Sequence, residues 1–331
     1  MKRMRYLLFQ WSRWPHDYLK QALGEECKVV FSKDYKQRVF RYLSGALLVT
    51  LKSGRGDTLV CWYDAQAVVT WWLCRILFLK RNVVCLNLLL KQKNTLKNKL
   101  ASWMYKQALL ADNFHATVTS REYGKWLNRS LGINVEFTLL HDVFHDYYEY
   151  PQLKESEKNI VFCGGCFGRD WTLMLDIVKD TPEVMFSLVM QNRDYYPLMR
   201  KVGKELPQNV IIEHNIPYKL FMQRLCQSKI VCMPLDSEAP QGLTVIFQAA
   251  ANDKLILTSN NPTTVEYFSS EQLLGTDSKE WSLCIRKCLA DEKKRKETAK
   301  EFHQFLKNEC SEAVFAQTVK RIVESVEKVN G

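Results

Sequence analysis

The chain has 331 residues, enough for two domains of similar size. With 47% hydrophobic and 25% charged residues its composition is that of a well-packed globular protein, which excludes a disordered or fibrous chain. Lys and Arg total 47 against 36 Asp and Glu, and residues 1–150 hold 23 against 12, so the whole excess of +11 lies in the first half and implies an anionic partner there.

Strand and helix alternate from the start. Tyr6 to Phe9 reads as a short strand, followed by the loop Gln10 to Pro15 and a helix to about Leu23. Cys27 to Phe31 is a second strand, Lys33 to about Leu51 a helix, Thr58 to Tyr63 a strand and Ala65 to Lys80 a helix. Asn82 to Leu89 and His115 to Val118 are further strands, separated by a helix over Lys91 to Ala111. Thr119, three residues before Glu122, has the spacing of a capping box, and Val135 to Leu139 closes the series. This alternation predicts a parallel, doubly wound domain.

The polar stretch His145 to Lys158 breaks the pattern and marks a boundary, so the expected domains are 1–150 and 151–331. The alternation restarts with a strand at Asn159–Cys163 and helices from Trp171, Tyr196 and Tyr218, between strands at Glu183–Met190 and Asn209–Glu213. Lys229 to Leu235 is a buried strand, Leu243 to Ala251 a helix, Leu255 to Thr258 a strand, and the chain is helical from Lys279 onward. The fold class is therefore α/β, with two Rossmann-like domains facing a cleft, and ligands are expected beyond the carboxyl ends of the strands.

Two loops carry the chemistry. Gly242 stands between a strand and a helix, where unpaired amides and the helix dipole suit a phosphate and a missing side chain lets the anion reach the backbone. Gly164, Gly165 and Gly168 follow another strand, without the GxGxxG dinucleotide spacing, and Arg169 adds a forked cation suited to a diphosphate. A local pairing of Arg169 with Asp170 is the simpler alternative.

The residues GG then GRDW, with VCMPL, a glycine-led helix, DKLIL and Glu266-Tyr267, resemble glycosyltransferases of the GT-B fold, especially the retaining family-4 type. The match covers most of residues 159–268. The resemblance implies a nucleotide-sugar donor, with its diphosphate on Gln241, Gly242, Leu243 and Thr244 and on Arg169, and its base at His214, Asn215 and Tyr218. It implies no cofactor and no bound divalent metal, leaving the helix dipole and basic residues to offset the leaving-group charge. The sequence also lacks a DxD triplet. The family's glutamate pair falls on Pro240 and Gln248, and a histidine common in the first domain falls near Asn87. Glu238 and Asp64 are the weak catalytic candidates that remain, and a solvated loop glutamate and a helix cap are the plainer readings of them.

Trp11, Arg13 and Trp14 lie in the first loop, where such enzymes meet acceptors. Lys93, Lys97 and Lys99 lie on a basic helix with Leu96, Leu100 and Trp103 at helical spacing. Either that apolar stripe buries against the sheet, or the helix rests on an anionic membrane. The eleven cysteines sit mostly in apolar runs and fit buried thiols in a reducing cytoplasm. The basic tip is followed by only a short apolar stretch, Tyr6 to Phe9, before Gln10, too short for a signal peptide, and no apolar run reaches a membrane span. The expectation is a cytoplasmic glycosyltransferase, peripheral on the inner face of the cell membrane, acting on a glycan or lipid-linked acceptor. A nucleotide-sugar epimerase of the same fold and a non-catalytic binding subunit are the alternatives. The basic residues match no nucleic-acid-binding module.

Overall fold

A computed structural model describes residues 3–12, 16–90, 96–150, 157–203 and 206–329. The chain divides into two units, Met1–Val143 with Glu312–Gly331, and Phe144–Ser311.

In the first unit, strands β1 (Arg5–Phe9), β2 (Cys27–Phe31), β3 (Thr58–Cys61), β4 (Asn82–Cys85), β5 (Phe114–Val118) and β6 (Thr138–Leu139) form one sheet in the order β2-β1-β3-β4-β5-β6. Every pairing is parallel, and Leu7 lies opposite Val29 on one side and Val60 on the other. All residues of β3 and β4 are buried, as uninterrupted apolar runs in a sheet covered on both faces require. Helix α1 (Asp17–Leu23) carries the chain from β1 outward to β2, whereas α2 (Arg38–Lys52) and α3 (Asp64–Ile76) carry it back across β3 and β4. Right-handed crossovers in opposite directions put α1 on one face and α2, α3 and α4 (Leu96–Leu109) on the other.

The α1 face is completed from the far end of the chain. Helix α12 (Glu312–Val329) buries Phe315, Val319 and Val323 with Leu7, Leu19 and Leu23. Arg5 Nη2 meets Glu327 Oε2 at 2.7 Å. The expected boundaries of 1–150 and 151–331 are corrected accordingly: the division falls between Val143 and Phe144, and the last helix belongs to the first unit. Spacing marks α12 as amphipathic but is silent about which sheet its apolar stripe covers. Helix α5 (Arg121–Leu131) starts one residue later than the capping pattern predicts, since the Ser120 hydroxyl, not Thr119, accepts from the Tyr123 amide.

The second unit has strands β7 (Ile160–Gly164), β8 (Met185–Met190), β9 (Val210–His214), β10 (Ile230–Met233), β11 (Leu255–Ser259) and β12 (Leu273–Leu274), all parallel, in the order β12-β11-β10-β7-β8-β9. On one face, α6 (Trp171–Asp180), α7 (Asn192–Val202) and α10 (Ser278–Ala290) bury Met174, Leu198 and Trp281 with Phe186. On the other, α8 (Tyr218–Gln227), α9 (Leu243–Ala251) and α11 (Glu292–Glu309) bury Met222, Phe247 and Leu306 with Phe162. The chain starts this sheet at β7, winds outward through β8 and β9, and returns to β10 on the other side. The crevice between β7 and β10 is therefore the topological switch point, where open α/β sheets bind ligands.

Candidate functional site

The two glycine loops leave β7 and β10 at that crevice, and backbone hydrogen bonds zip them together. Asp170 N donates to Pro234 O at 2.9 Å and Asp236 N to Gly168 O at 3.1 Å. An antiparallel bridge joins Arg169 to Leu235. Asp170 accepts from Thr172 N and Leu173 N as the cap of α6, so it does not pair with Arg169.

Arg169 is 7% exposed. Its Nε donates to Gly164 O at 2.9 Å and its Nη1 to Phe167 O at 2.8 Å. Among the described residues no carboxylate forms an ion pair with it, and Asp236 and Asp194 act on it only at longer range. Burial lowers the guanidinium pKa, with thiols and carboxylates of the neighbourhood opposing that shift. A buried cation hydrogen-bonded to carbonyl oxygens, with no carboxylate in ion-pair reach, is a place where an anion would find a counter-charge.

The glycines are what let the guanidinium lie where it does. Gly165 has φ 123°, and a Cβ there would stand 2.4 Å from Arg169 Nη2. Gly168 has φ 65°, and a Cβ there would stand 2.2 Å from Gln241 Oε1. That oxygen is buried and has no hydrogen-bond partner. Gly242 has φ 89° and would place a Cβ 3.0 Å from Arg169 Nη1. It also caps α9 without a side chain, and the first turn of that helix holds no acidic residue. Among the described residues, the amides of Gly242, Leu243 and Thr244 meet no acceptor, so three donors and the positive end of the dipole open beside the guanidinium. Gly164, Gly165, Arg169, Gln241, Gly242, Leu243 and Thr244 are thus brought to one place.

The residues expected at the base are split. His214 ends β9 and stacks on Tyr195 at 3.8 Å, with its Nδ1 2.6 Å from Asn192 Oδ1. Asn215, at φ 49°, accepts from Asn192 N at 3.2 Å. Both therefore group with α7. Tyr218 opens α8 on the opposite face of the sheet, where its hydroxyl accepts from Gln248 Nε2 at 2.9 Å. Burial, aided by Tyr150, raises the Tyr218 pKa. Sequence reasoning missed Asn192, Arg193 and Tyr195, whose signal is the polar run QNRDYY directly after a buried strand. Arg193 lies over the Phe167 ring at 3.8 Å, which adds a second cation beside the first glycine loop.

Of the catalytic candidates, Glu238 is exposed on the β10–α9 loop, and its carbonyl accepts from Thr263 Oγ1 at 3.0 Å. Asp64 is buried: its carboxylate accepts from Ala65 N at 2.6 Å, from Leu89 N at 2.9 Å and from the Tyr105 hydroxyl. Burial raises its pKa, and those hydrogen bonds oppose the shift. The carboxylate ties α3 to the segment after β4 and to α4, a structural task in line with the plainer reading of Asp64 at a helix start, although the partners Leu89 and Tyr105 are remote in sequence. Trp11 follows β1 with Tyr63 edge-on at 6.2 Å and the Arg41 guanidinium 4.7 Å over its ring. Arg13, Trp14 and Lys93 lie outside the described residues, as does the side chain of Lys97, while Lys99 is exposed on α4.

Cys163 and Cys166 flank the two glycines with CxxC spacing, and both are free thiols. Burial pushes Cys163 up to about 12, which removes it as a reactive thiolate. Among the described residues no group of three or more His, Cys, Asp or Glu side chains is arranged to hold a metal ion.

No protein-family model matches the chain, and no curated protein matches it in sequence. Solved structures do match. Anabaena Alr3699/HepE in complex with UDP-glucose superposes with a TM-score of 0.70 at 12% identity, over 98% of this chain and 100% of that one. The α,α-trehalose 6-phosphate synthase from Burkholderia multivorans gives 0.68 at 9% identity over 100% of both chains. AviGT4, a glycosyltransferase involved in avilamycin A biosynthesis, gives 0.59 at 10% over 99% and 98%. The fold is that of the GT-B glycosyltransferases.

Proposed function

We propose that this protein is a glycosyltransferase that takes a sugar from a nucleoside diphosphate sugar and places it on the hydroxyl of a glycan or lipid-linked acceptor. The observation that carries the reading is the buried Arg169, hydrogen-bonded to carbonyl oxygens and without an ion-paired carboxylate among the described residues, beside the three open amides at the start of α9. Such a site offsets the charge that gathers on a departing diphosphate, and it is already organised before the bond breaks. The unpartnered Gln241 Oε1 is an acceptor beside the same amides and suits a donor hydroxyl. The likeness to HepE, solved with UDP-glucose, agrees in fold with this use of the switch point. Retention of anomeric configuration rests on the family-4 resemblance of the two loops.

Incubation with UDP- and GDP-sugars, followed by calorimetry and by proton NMR of released or transferred sugar, tests the reading. Nucleotide binding with sugar transfer at retained configuration is expected. Binding without turnover would instead favour a non-catalytic subunit, the alternative motivated by Pro240 and by Gln248, whose amide is engaged by Tyr218. No nucleotide binding would remove both.

A further inference from the structure

Helix α2 is built inside out. Its inward apolar residues are small, Ala46 and Val49 with Gly45, and Arg41 and Thr50 are buried beside them, while Phe40, Leu43, Leu47 and Leu51 form an exposed stripe at helical spacing. Helix α4 repeats the arrangement: Leu96, Leu100 and Trp103 are exposed, so its stripe does not bury against the sheet. Between them, α3 ends in Ile76, Leu77 and Phe78, all exposed. The three helices share one sheet face: Arg81 Nη2 bonds Ser53 O at the ends of α2 and α3, and Trp72 of α3 lies 5.2 Å from Trp103 of α4. Every large apolar side chain recorded as exposed in the first unit falls between Tyr35 and Leu110. The opposite face, under α1 and α12, has none among the described residues.

Charge follows the same boundary. Residues 35–110 hold 13 Lys and Arg against two Asp, and the rest of the chain balances at 34 against 34. Both aspartates, Asp57 and Asp64, are buried, and the exposed Asp34 and Asp112 that border the segment are far outnumbered by its cations. Lys36, Arg38, Lys52, Arg75, Lys80 and Lys99 are exposed around the apolar stripes.

Phe78 is the sharpest feature. It occupies the left-handed position after α3 at φ 53° and is 93% exposed. Its amide bonds Arg75 O and the Leu79 amide bonds Cys74 O, the bond pair of a helix end that favours glycine. A phenylalanine there carries backbone strain and gains no packing within the chain.

We propose that the α2–α3–α4 face of the first unit seats this protein on an anionic lipid bilayer, with Phe78 and the α2 stripe entering the acyl boundary and the lysines and arginines reaching the headgroups. Apolar stripes rimmed by a large excess of cations fit that surface. A second copy docking through the same face would set cations against cations. No helix among the described residues is long and apolar enough to cross a membrane, so the seat lies on the surface. The inference is independent of the proposed donor chemistry.

Co-sedimentation of the full chain with phosphatidylcholine vesicles, with and without phosphatidylglycerol, tests it. The chain is expected to pellet with the anionic vesicles and to be released by salt. Phe78→Gly is expected to keep or raise the melting temperature, because glycine relieves the φ strain, yet to lower vesicle affinity about tenfold. Lys36→Glu with Lys80→Glu is expected to abolish the preference for anionic lipid. Equal pelleting of Phe78→Gly and the parent, or no lipid binding by the parent, overturns the proposal. A vesicle-free dimer that Phe78→Gly dissociates would assign the face to a second copy and overturn it too.

Discussion

Arg169 Nη1 lies 3.0 Å from the point where a Cβ on Gly242 would stand, although the two residues belong to loops after different strands. The missing side chain lets the guanidinium approach the open end of α9. The consequence is a patch of donors with no protein acceptor.

Gly242→Ala restores a Cβ at φ 89° and pushes on the guanidinium. UDP affinity is expected to fall about tenfold, with a stability cost of about 1 kcal/mol. Calorimetry and thermal melting measure both, and unchanged affinity would show that the close approach is idle.

Gly165→Ala places a Cβ 2.4 Å from Arg169 Nη2, so the arginine must leave its carbonyl partners. UDP binding is expected to suffer strongly in the parent background. Made on top of Arg169→Ala, the same change should add only backbone strain, a coupling that a double-mutant cycle reads directly. Additive losses would separate the two residues.

Helix α12 should be indispensable to the first unit. Phe315 is 3% exposed within the α1-side core, and Phe315→Ala is expected to cost about 3–5 kcal/mol. Urea denaturation checks this; a cost near zero would detach α12 from the sheet.

The thiols should divide by reactivity. Burial pushes Cys27 to about 11 and Cys61 to about 12, so both stay protonated at neutral pH and label only on unfolding. Cys288, half-buried on α10, is shifted the other way by its hydrogen bond with Cys284. A lowered pKa means more thiolate below pH 9, so Cys288 is expected to react first with iodoacetamide as pH rises. Mass spectrometry of timed labelling would refute this if Cys61 led.

Sugar transfer is expected to survive excess EDTA, because the charge of the departing diphosphate is assigned to Arg169 and the α9 amides. Loss of activity on chelation, restored by a divalent ion, would move that task to a metal.

Much of this was legible in the sequence because parallel strands buried on both faces write continuous apolar runs, and glycines at strand ends mark where backbone must be approached. The pairing of the two glycine loops followed from topology alone. Three things did not follow. The Phe315–Val326 stripe of α12 is amphipathic wherever it packs, so its return to the first sheet is a long-range fact. Asp64 at a strand end looked available, and only three dimensions show its oxygens taken by Ala65, Leu89 and Tyr105. Tyr218 is near His214 in sequence, but the turn 215–217 between β9 and α8 carries the chain to the opposite face of the sheet.

The most direct measurement compares UDP with uridine by titration calorimetry, on the parent chain and on Arg169→Ala. Binding of UDP well above uridine is expected in the parent, with that margin cut about a hundredfold in the variant and uridine affinity unchanged. Equal UDP affinity in the two proteins would contradict the assignment of the diphosphate to Arg169 and the amino end of α9.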